Sequence, residues 1–480
     1  MSTTDRVRGL LVDAIAAYTG TPQEDALRAS LDRLDGPLRV AFAGRVKAGK
    51  STLLNALVGQ RLAATDATEC TRIVTSYVDG PATRAWVHRA GVEPVQVPFR
   101  RIGGQTHIDL GTIPADEVTS LVVETPSSRL ATMTLIDTPG IGSVRTEISA
   151  RTEAFLVEDA PGADAVLYLM RHLHAADVGF LGAMQDDTLG RSSPVNALGI
   201  LSRADEIAGG REDSLEVAAR VASDYAADRR VRALVQGVVP VSGLLAMASV
   251  ELEERQFAGL RDLATAPTSL LLSADRLVDA RPDLGPSREL RSELLDLLGL
   301  FGIRLAVSLV RLGNASDAGS LAVALRVASG LDEVRTLLRE RFAVRSAVLQ
   351  ARGALQAIGS ALDASSIPRS AALRRGVESV VAGAHELTEM AVLEDLRTGE
   401  LELGDEEALA DAERLLGVDG DDPRARLGLA TDSDEETVHA GAREALRRWQ
   451  QRSSSPIASP DMRRVATDVR RTCEGLLQTL

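Results

Sequence analysis

The feature that most constrains the fold is a glycine-rich segment, GRVKAGKSTLLNALVG at residues 44–59, which follows the apolar run LRVAFAG at residues 38–44. It matches the pattern G-x-x-x-x-G-K-[ST], in which a loop joins a buried strand to a helix and its backbone N–H groups hold phosphates. We therefore predict a strand–loop–helix unit of an α/β sheet that binds a nucleotide. The predicted phosphate-binding residues are Gly44, Arg45, Val46, Lys47, Ala48, Gly49, Lys50, Ser51 and Thr52.

Two side chains of this loop and one acidic motif predict phosphate chemistry that depends on Mg²⁺. Lys50 is expected to bridge the β- and γ-phosphates, and the Ser51 hydroxyl is expected to coordinate Mg²⁺. The motif DTPG at residues 137–140 follows another short apolar run. Asp137 would hold Mg²⁺ through a water molecule, and the backbone N–H of Gly140 would contact the γ-phosphate.

The segment SRAD at residues 202–205 indicates which base is bound. The Asp205 carboxylate can accept hydrogen bonds from both N1–H and the exocyclic amine of guanine, whereas adenine offers no such pair of donors. The aliphatic stem of Arg203 can pack on the base plane. We therefore predict that the substrate is GTP. The predicted base-binding residues are Ser202, Arg203 and Asp205, followed by Ser242 and Gly243 where a further base-contacting loop is expected.

A threonine-rich stretch between these motifs, TDATECTRIVTSY at residues 65–77, has the composition of a switch loop. Such a loop closes one threonine over Mg²⁺ and the γ-phosphate and releases it after hydrolysis. We predict that this residue is Thr71, with Thr68 as the alternative. The predicted metal ligands are therefore Ser51, Thr71 and Asp137.

Strands and helices alternate over the first half of the chain, and helices alone follow. Apolar runs such as AVLYLM at residues 165–170 are separated by segments of helical length, which predicts a mostly parallel sheet with helices on both faces. After about residue 248 the pattern is helical, with residues 321–342 and 376–397 each predicted as one helix. We predict N-terminal helices at residues 1–36, a GTPase domain at residues 37–248 and a helical bundle at residues 249–480, which the N-terminal helices join.

Composition excludes some classes of function. The net charge of −14 over 480 residues argues against a nucleic-acid binder, because phosphate backbones require a basic surface. Two cysteines provide no disulfide framework and are typical of a reducing cytoplasm. No apolar run reaches the roughly 20 residues that a membrane span requires. We therefore expect a cytoplasmic or peripheral protein.

In this order, the motifs AGRVKAGKSTLLNALVG, TDATECTRIVT, SRADEI, VVPVSGLLA and LFGIRLAVSLV resemble the dynamin-like large GTPases of bacteria, and more closely the isoniazid-inducible type of mycobacteria. The resemblance implies a GTPase head on a stalk-like helical bundle and a homodimer formed through the heads. It also implies work at the inner face of the cytoplasmic membrane, on an anionic lipid surface. A paralogous dynamin-like protein is a further expected partner.

The phosphate loop departs from the pattern of eukaryotic dynamins, which carry Gln-Ser where this chain has Val46-Lys47. One hypothesis is that the Lys47 ammonium replaces a monovalent cation and neutralises transition-state charge in its own site. The other is that Lys47 faces solvent or a partner head. The missing glutamine also allows a different function, in which bound GTP controls assembly with a paralogous partner and turnover is small.

A break between helices at residues 361–375, ALDASSIPRSAALRR, is a candidate membrane tip. Ile367 would then insert into the bilayer, while Arg369, Arg374 and Arg375 would contact lipid phosphates. The alternative is an ordinary connection between two helices.

Overall fold

The computed structural model describes residues 2–63, 73–102, 105–139, 163–172, 194–279 and 285–479. Its described strands all lie between residues 38 and 241, and the described chain beyond them is helical. This confirms the predicted combination of an α/β head with a long all-α region.

The strands fall where the apolar runs predict them, and further strands occur between residues 75 and 125. They are β1 (Leu38–Gly44), β2 (Thr75–Asp79), β3 (Arg84–Arg89), β4 (Val92–Val97), β5 (Phe99–Ile102), β6 (Gln105–Ile108), β7 (Ser120–Thr125), β8 (Met133–Asp137), β9 (Ala165–Met170), β10 (Ala197–Ser202) and β11 (Val238–Val241).

Nine of these strands form one sheet in the order β11-β10-β9-β1-β8-β2-β7-β3-β4, and β5 pairs with β6 in a separate hairpin. The five strands from β11 to β8 run parallel, and so do β2 and β7, whereas β2–β8, β7–β3 and β3–β4 are antiparallel. The strands β9 and β10 are buried along their whole length, which is typical of strands covered on both faces. The carboxyl ends of the parallel strands meet at one edge, where ligands bind in such sheets.

The described helices of eight or more residues, together with four shorter ones, account for most of the remaining chain. They are α1 (Thr3–Ala17), α2 (Gln23–Arg33), α3 (Lys50–Val58), α4 (Ser214–Ala227), α5 (Arg229–Arg232), α6 (Gly243–Glu251), α7 (Glu254–Thr265), α8 (Ala274–Val278), α9 (Arg288–Arg311), α10 (Ala318–Ala328), α11 (Leu331–Leu337), α12 (Ser346–Ala364), α13 (Ser370–Gly383), α14 (His385–Thr398), α15 (Glu406–Leu415), α16 (Pro423–Leu427), α17 (Glu435–Ser454) and α18 (Pro460–Thr479). In the part of the chain that the structure describes, no helix has both the length and the apolar character needed to cross a membrane.

Two stretches predicted as single helices are each divided. Gly330, with a φ of 78°, lies between α10 and α11, and Ala384, with extended backbone, lies between α13 and α14. Gly299 likewise interrupts α9 with a φ of 64°. The prediction of continuous helices was wrong at Gly330 and Ala384, because the apolar periodicity continues across a break that one residue makes.

The N-terminal helices pack against helices of the C-terminal half. Leu11 of α1 and Leu27 of α2 share a buried cluster with Ile358 of α12. The Tyr18 hydroxyl donates a hydrogen bond to the carbonyl oxygen of Ala361 at 2.9 Å. These contacts support a helical bundle that includes residues 1–36, and the domain boundaries themselves stay predictions.

Candidate functional site

The phosphate loop lies between the end of β1 and the start of α3, as its motif requires. A Cβ atom on Gly44 would lie 2.3 Å from the carbonyl oxygen of Leu169, so no larger residue fits where β1 passes β9. Gly49 precedes α3 with a φ of 91°, a left-handed conformation that glycine adopts at no steric cost. Lys47 also has a positive φ, 62°, and its side chain is exposed.

The Lys50 ammonium lies inside this loop. Its Nζ donates hydrogen bonds to the carbonyl oxygens of Gly44 at 3.1 Å and Arg45 at 3.4 Å. Burial lowers the pKa of Lys50, and the nearby Asp137 carboxylate opposes that change. A cation that has lost water on burial gains most from an anionic ligand, so the loop is suited to phosphate.

Ser51 and Asp137 lie together, although they come from separate motifs. The Ser51 hydroxyl donates to Asp137 Oδ2 at 2.7 Å. Asp137 Oδ1 is buried and has no hydrogen-bond donor among the described residues. Burial raises the pKa of Asp137, whereas Lys50 and the Ser51 hydroxyl lower it. A carboxylate oxygen without a donor, beside a hydroxyl oxygen, forms a set of ligands suited to Mg²⁺, which binds oxygen atoms.

Residues of the phosphate loop and of SRAD line one pocket, of about 140 Å³, at the carboxyl edge of the sheet. The apolar side chains of Leu169 and Ile200 contribute to its wall. The predicted site residues that line the pocket are Ala48, Gly49, Thr52, Ser202, Arg203, Asp205 and Gly243. Motifs separated by about 150 residues of sequence thus contribute to the same cavity.

The carboxylate of Asp205 is held at this pocket by the loop after β11. Burial raises the pKa of Asp205, and a hydrogen bond with the Ser242 side chain lowers it. Ser242 also begins α6, because its hydroxyl oxygen accepts a hydrogen bond from the Leu245 N–H. A Cβ atom on Gly243 would lie 3.2 Å from the Thr52 side chain, so α6 begins directly against α3. The two predicted base-contacting segments are therefore in contact.

The segment between α10 and α11 packs against the loop after β11. This contact was not predicted from the sequence. The backbone N–H of Ser242 donates to the carbonyl oxygen of Ser329 at 3.0 Å. A Cβ atom on Gly330 would lie 2.3 Å from the carbonyl oxygen of Pro240. Arg335 Nη2 donates to the carbonyl oxygen of Ala56, near the end of α3, at 3.1 Å. In the sequence, the only indication of these contacts was Gly330, a glycine within a predicted helix.

Two further charged residues at the pocket were also missed. Glu206 binds both Arg171 and Arg203, at N···O distances of 2.6 Å and 2.7 Å. Glu206 follows Asp205 directly in the sequence, but nothing in the spacing of Arg171 links it to SRAD.

The described residues do not include every predicted site residue. Thr68, Thr71 and Gly140 are outside the described residues, so their proposed roles stay predictions. The side chains of Arg45 and Val46 are exposed on the phosphate loop.

The candidate membrane tip lies between α12 and α13, far along the chain from the nucleotide pocket. Ile367 is half-buried and packs against the cluster that α1, α2 and α12 form. Arg374 makes an ion pair with Asp363 at 2.8 Å, whereas Arg369 and Arg375 are exposed. This geometry favours an ordinary helix connection, because an inserted side chain has to point away from the protein.

Comparisons with known proteins agree with the motifs. A model of the Dynamin family matches residues 40–202. Isoniazid-induced protein IniC of Mycobacterium tuberculosis (strain CDC 1551 / Oshkosh) is 36% identical over 490 aligned positions, which cover 99% of each chain. A bacterial dynamin-like protein of Nostoc punctiforme is 29% identical over 187 residues, covering 36% of this chain and 26% of that protein. A solved oligomerised bacterial dynamin pair is 13% identical with a TM-score of 0.35, covering 99% of this chain and 74% of that one.

Proposed function

The chain belongs to the IniC group of bacterial dynamin-like GTPases and is itself a GTPase, and from this we propose how it acts. It binds and hydrolyses GTP with Mg²⁺ and self-associates through its GTPase heads. It takes part in remodelling or maintaining the cytoplasmic membrane, from the inner face. GDP is the other nucleotide that it binds, and a paralogous dynamin-like protein is a further proposed partner.

The observation that carries the nucleotide part of this proposal is the shared pocket. Gly49 and Thr52 of the phosphate loop line it together with Asp205, a residue that is only 7% exposed. A buried carboxylate requires donors, and guanine offers two that point in the same direction. The Asp205 carboxylate and the Lys50 ammonium would therefore bind opposite ends of the same GTP molecule.

Ser51 and Asp137 are the proposed Mg²⁺ ligands, with Thr71 as the switch residue that joins them. The buried Asp137 Oδ1 without a donor and the adjacent Ser51 hydroxyl support this assignment. When bound, Mg²⁺ neutralises part of the phosphate charge that develops during hydrolysis.

Other groups of the chain bind the phosphates and place positive charge near them. Backbone N–H groups of the phosphate loop and the start of α3 hold the β- and γ-phosphates, and Lys50 binds the same oxygens. The exposed Lys47 adds positive charge at the mouth of the loop, either to its own site or to that of a partner head. Membership of the dynamin-like group supports the head-to-head contact, and the membrane role rests on the same relationship.

An exchange of base specificity tests the GTP assignment. Asp205→Asn replaces a carboxylate acceptor by an amide, whose N–H can donate to the C2 carbonyl of xanthine. We expect kcat/KM for GTP to fall by about 100-fold, because a hydrogen bond to a charged group is lost, and we expect XTP to become the better substrate.

The control is Asp213→Asn, which makes the same chemical change in an exposed ion pair with Arg211 and is expected to leave both rates unchanged. If Asp205→Asn kept the parent's preference for GTP over XTP, Asp205 would not be the residue that recognises guanine.

A further inference from the structure

Three charged side chains form a cluster at the rim of the base pocket, and two of them, Arg171 and Glu206, are not among the predicted base-binding residues. Arg171 Nη2 lies 2.6 Å from Glu206 Oε2. Arg203 Nη1 lies 2.7 Å from Glu206 Oε1. Each oxygen of one carboxylate therefore binds a different guanidinium group, and Arg203 is joined to Arg171 through Glu206.

The backbone holds the two arginines in place. Arg171 directly follows β9, and Arg203 directly follows β10, so both lie at the carboxyl edge of the sheet. The Ser202 hydroxyl donates to the carbonyl oxygen of Met170 at 3.1 Å, which fixes the two strand ends relative to each other. Arg203 itself has a left-handed φ of 56°, a conformation uncommon for residues other than glycine. The turn therefore presents the Arg203 side chain in one particular direction.

We infer that Glu206 is a positioning residue for guanine recognition: it binds the Arg203 guanidinium at the rim and so holds the Arg203 methylene stem against the plane of the base. The inference rests on the proposed function, because it assumes that guanine occupies the pocket. Arg203 lines the pocket beside Asp205. A long side chain that is fixed before the ligand arrives loses less conformational entropy on binding.

The arrangement also suits arginine better than lysine at this position. A lysine ammonium is a compact, strongly hydrated charge on a flexible stem, whereas the guanidinium is planar and carries five N–H donors in fixed directions. Binding through Nη1, at the end of the side chain, leaves the three methylene groups free to face an apolar surface. Glu206 therefore fixes the end of the arginine side chain, and Arg171 fixes Glu206.

A neighbouring ion pair provides a matched control. Arg211 Nη2 lies 2.9 Å from Asp213 Oδ2, and both side chains are exposed just after the turn that carries Glu206. Neither belongs to the residues that line the base pocket. A general effect of removing surface charge would appear in both pairs, whereas an effect on the base would appear only at Glu206.

The experiment compares Glu206→Gln and Asp213→Asn with the parent in the full chain. Glu206→Gln is expected to raise the Kd for GDP by about 3- to 5-fold, the upper part of the range that an exposed ion pair gives. The Kd for IDP is expected to rise by the same factor, because inosine lacks the exocyclic amine but has a similar purine plane. KM for GTP is expected to rise by the same factor as the Kd for GDP, and kcat is expected to stay unchanged. Binding of inorganic triphosphate, which has no base, is expected to stay the same.

A second substitution tests the chain of contacts. Arg171→Met is expected to weaken GDP binding by a smaller factor in the parent and to have no effect in the Glu206→Gln background, since the residue acts through Glu206. An additive effect of the two substitutions would contradict the inference.

The outcomes separate the inference from the proposed function. If the parent bound GDP no better than ADP, the proposed function would fail. If the parent preferred GDP and Glu206→Gln bound it as the parent does, or changed inorganic triphosphate binding equally, the inference alone would be overturned. A matching loss in Asp213→Asn would also overturn it.

Discussion

At the scale of single residues, glycines fix the site where the backbone passes close to another strand or loop. Gly44 allows β1 to pass the carbonyl group of Leu169, and Gly330 allows the segment after α10 to pass that of Pro240. In each case a Cβ atom would lie 2.3 Å from a backbone oxygen, which no rotation of a side chain can relieve. The first glycine belongs to a recognisable motif and the second does not, so only the first was predictable.

Gly330→Ala should therefore damage both stability and nucleotide binding. The φ of 78° is unfavourable for alanine, and the new methyl group displaces the Pro240 carbonyl and the loop that ends at Ser242. We expect a loss of about 3 kcal/mol in the free energy of unfolding, measured with denaturant, and a higher KM for GTP.

Gly313→Ala is the control for backbone conformation alone. Gly313 has a φ of 71°, and a Cβ atom there would meet nothing within 4 Å. Its expected cost is about 1 kcal/mol with no change in KM. Equal losses for the two variants would mean that the close approach at Pro240 is not important.

At the scale of helices, buried ion pairs join elements that are distant in sequence. Glu389 of α14 binds Arg426 of α16 at 2.9 Å and accepts a hydrogen bond from Thr472 of α18 at 2.6 Å. Burial raises the pKa of Glu389, but contacts with His385, Arg426 and Thr472 outweigh it and lower the pKa to about 2. Breaking such a pair leaves a buried charge without a partner, which is costly.

The depressed pKa gives a specific dependence on pH. Because the folded state binds the proton more weakly than the unfolded state, Glu389 contributes stability that is present above the ordinary pKa of 4.5 and is lost as pH falls from about 4.5 to about 2. Glu389→Gln should be less stable than the parent at pH 7, and its free energy of unfolding should change less across that window.

The measurement is chemical unfolding at several pH values. The exposed Glu436→Gln should keep the parent's slope. An unchanged slope in Glu389→Gln would show that Glu389 does not make this contribution.

How much of the fold the sequence predicts depends on how each element is buried. Strands such as β9 and β10 are fully buried apolar runs, and their positions were predicted correctly. The strand β4 is mostly exposed and contains Pro94, so it lacks an apolar pattern. The nucleotide-binding residues of the pocket were predictable because the chemistry of binding sets their spacing in the sequence. The contacts of Arg171 with Glu206 and of Ser329 with Ser242 depend on tertiary structure alone.

At the scale of the whole molecule, the helical region contacts the head near both parts of the nucleotide site. Arg397 of α14 donates to the carbonyl oxygens of Arg232 at 3.0 Å and Val235 at 2.7 Å, just before β11. Arg335 of α11 donates to the carbonyl oxygen of Ala56 at the end of α3. The helical region is therefore hydrogen-bonded to the helix that follows the phosphate loop and to the segment that precedes β11. This arrangement is suited to a GTPase whose assembly responds to its nucleotide.

The most direct test of the central claim is the rate of GTP hydrolysis per molecule, measured over a wide range of protein concentration with Mg²⁺ and repeated with anionic liposomes. We predict a rate per molecule that rises with concentration, because the proposed contact between heads would complete each catalytic site, and that rises further on the liposomes. A low rate that stays constant at every concentration, with GTP still bound, would contradict the claim and favour a GTP-controlled assembly partner with little turnover.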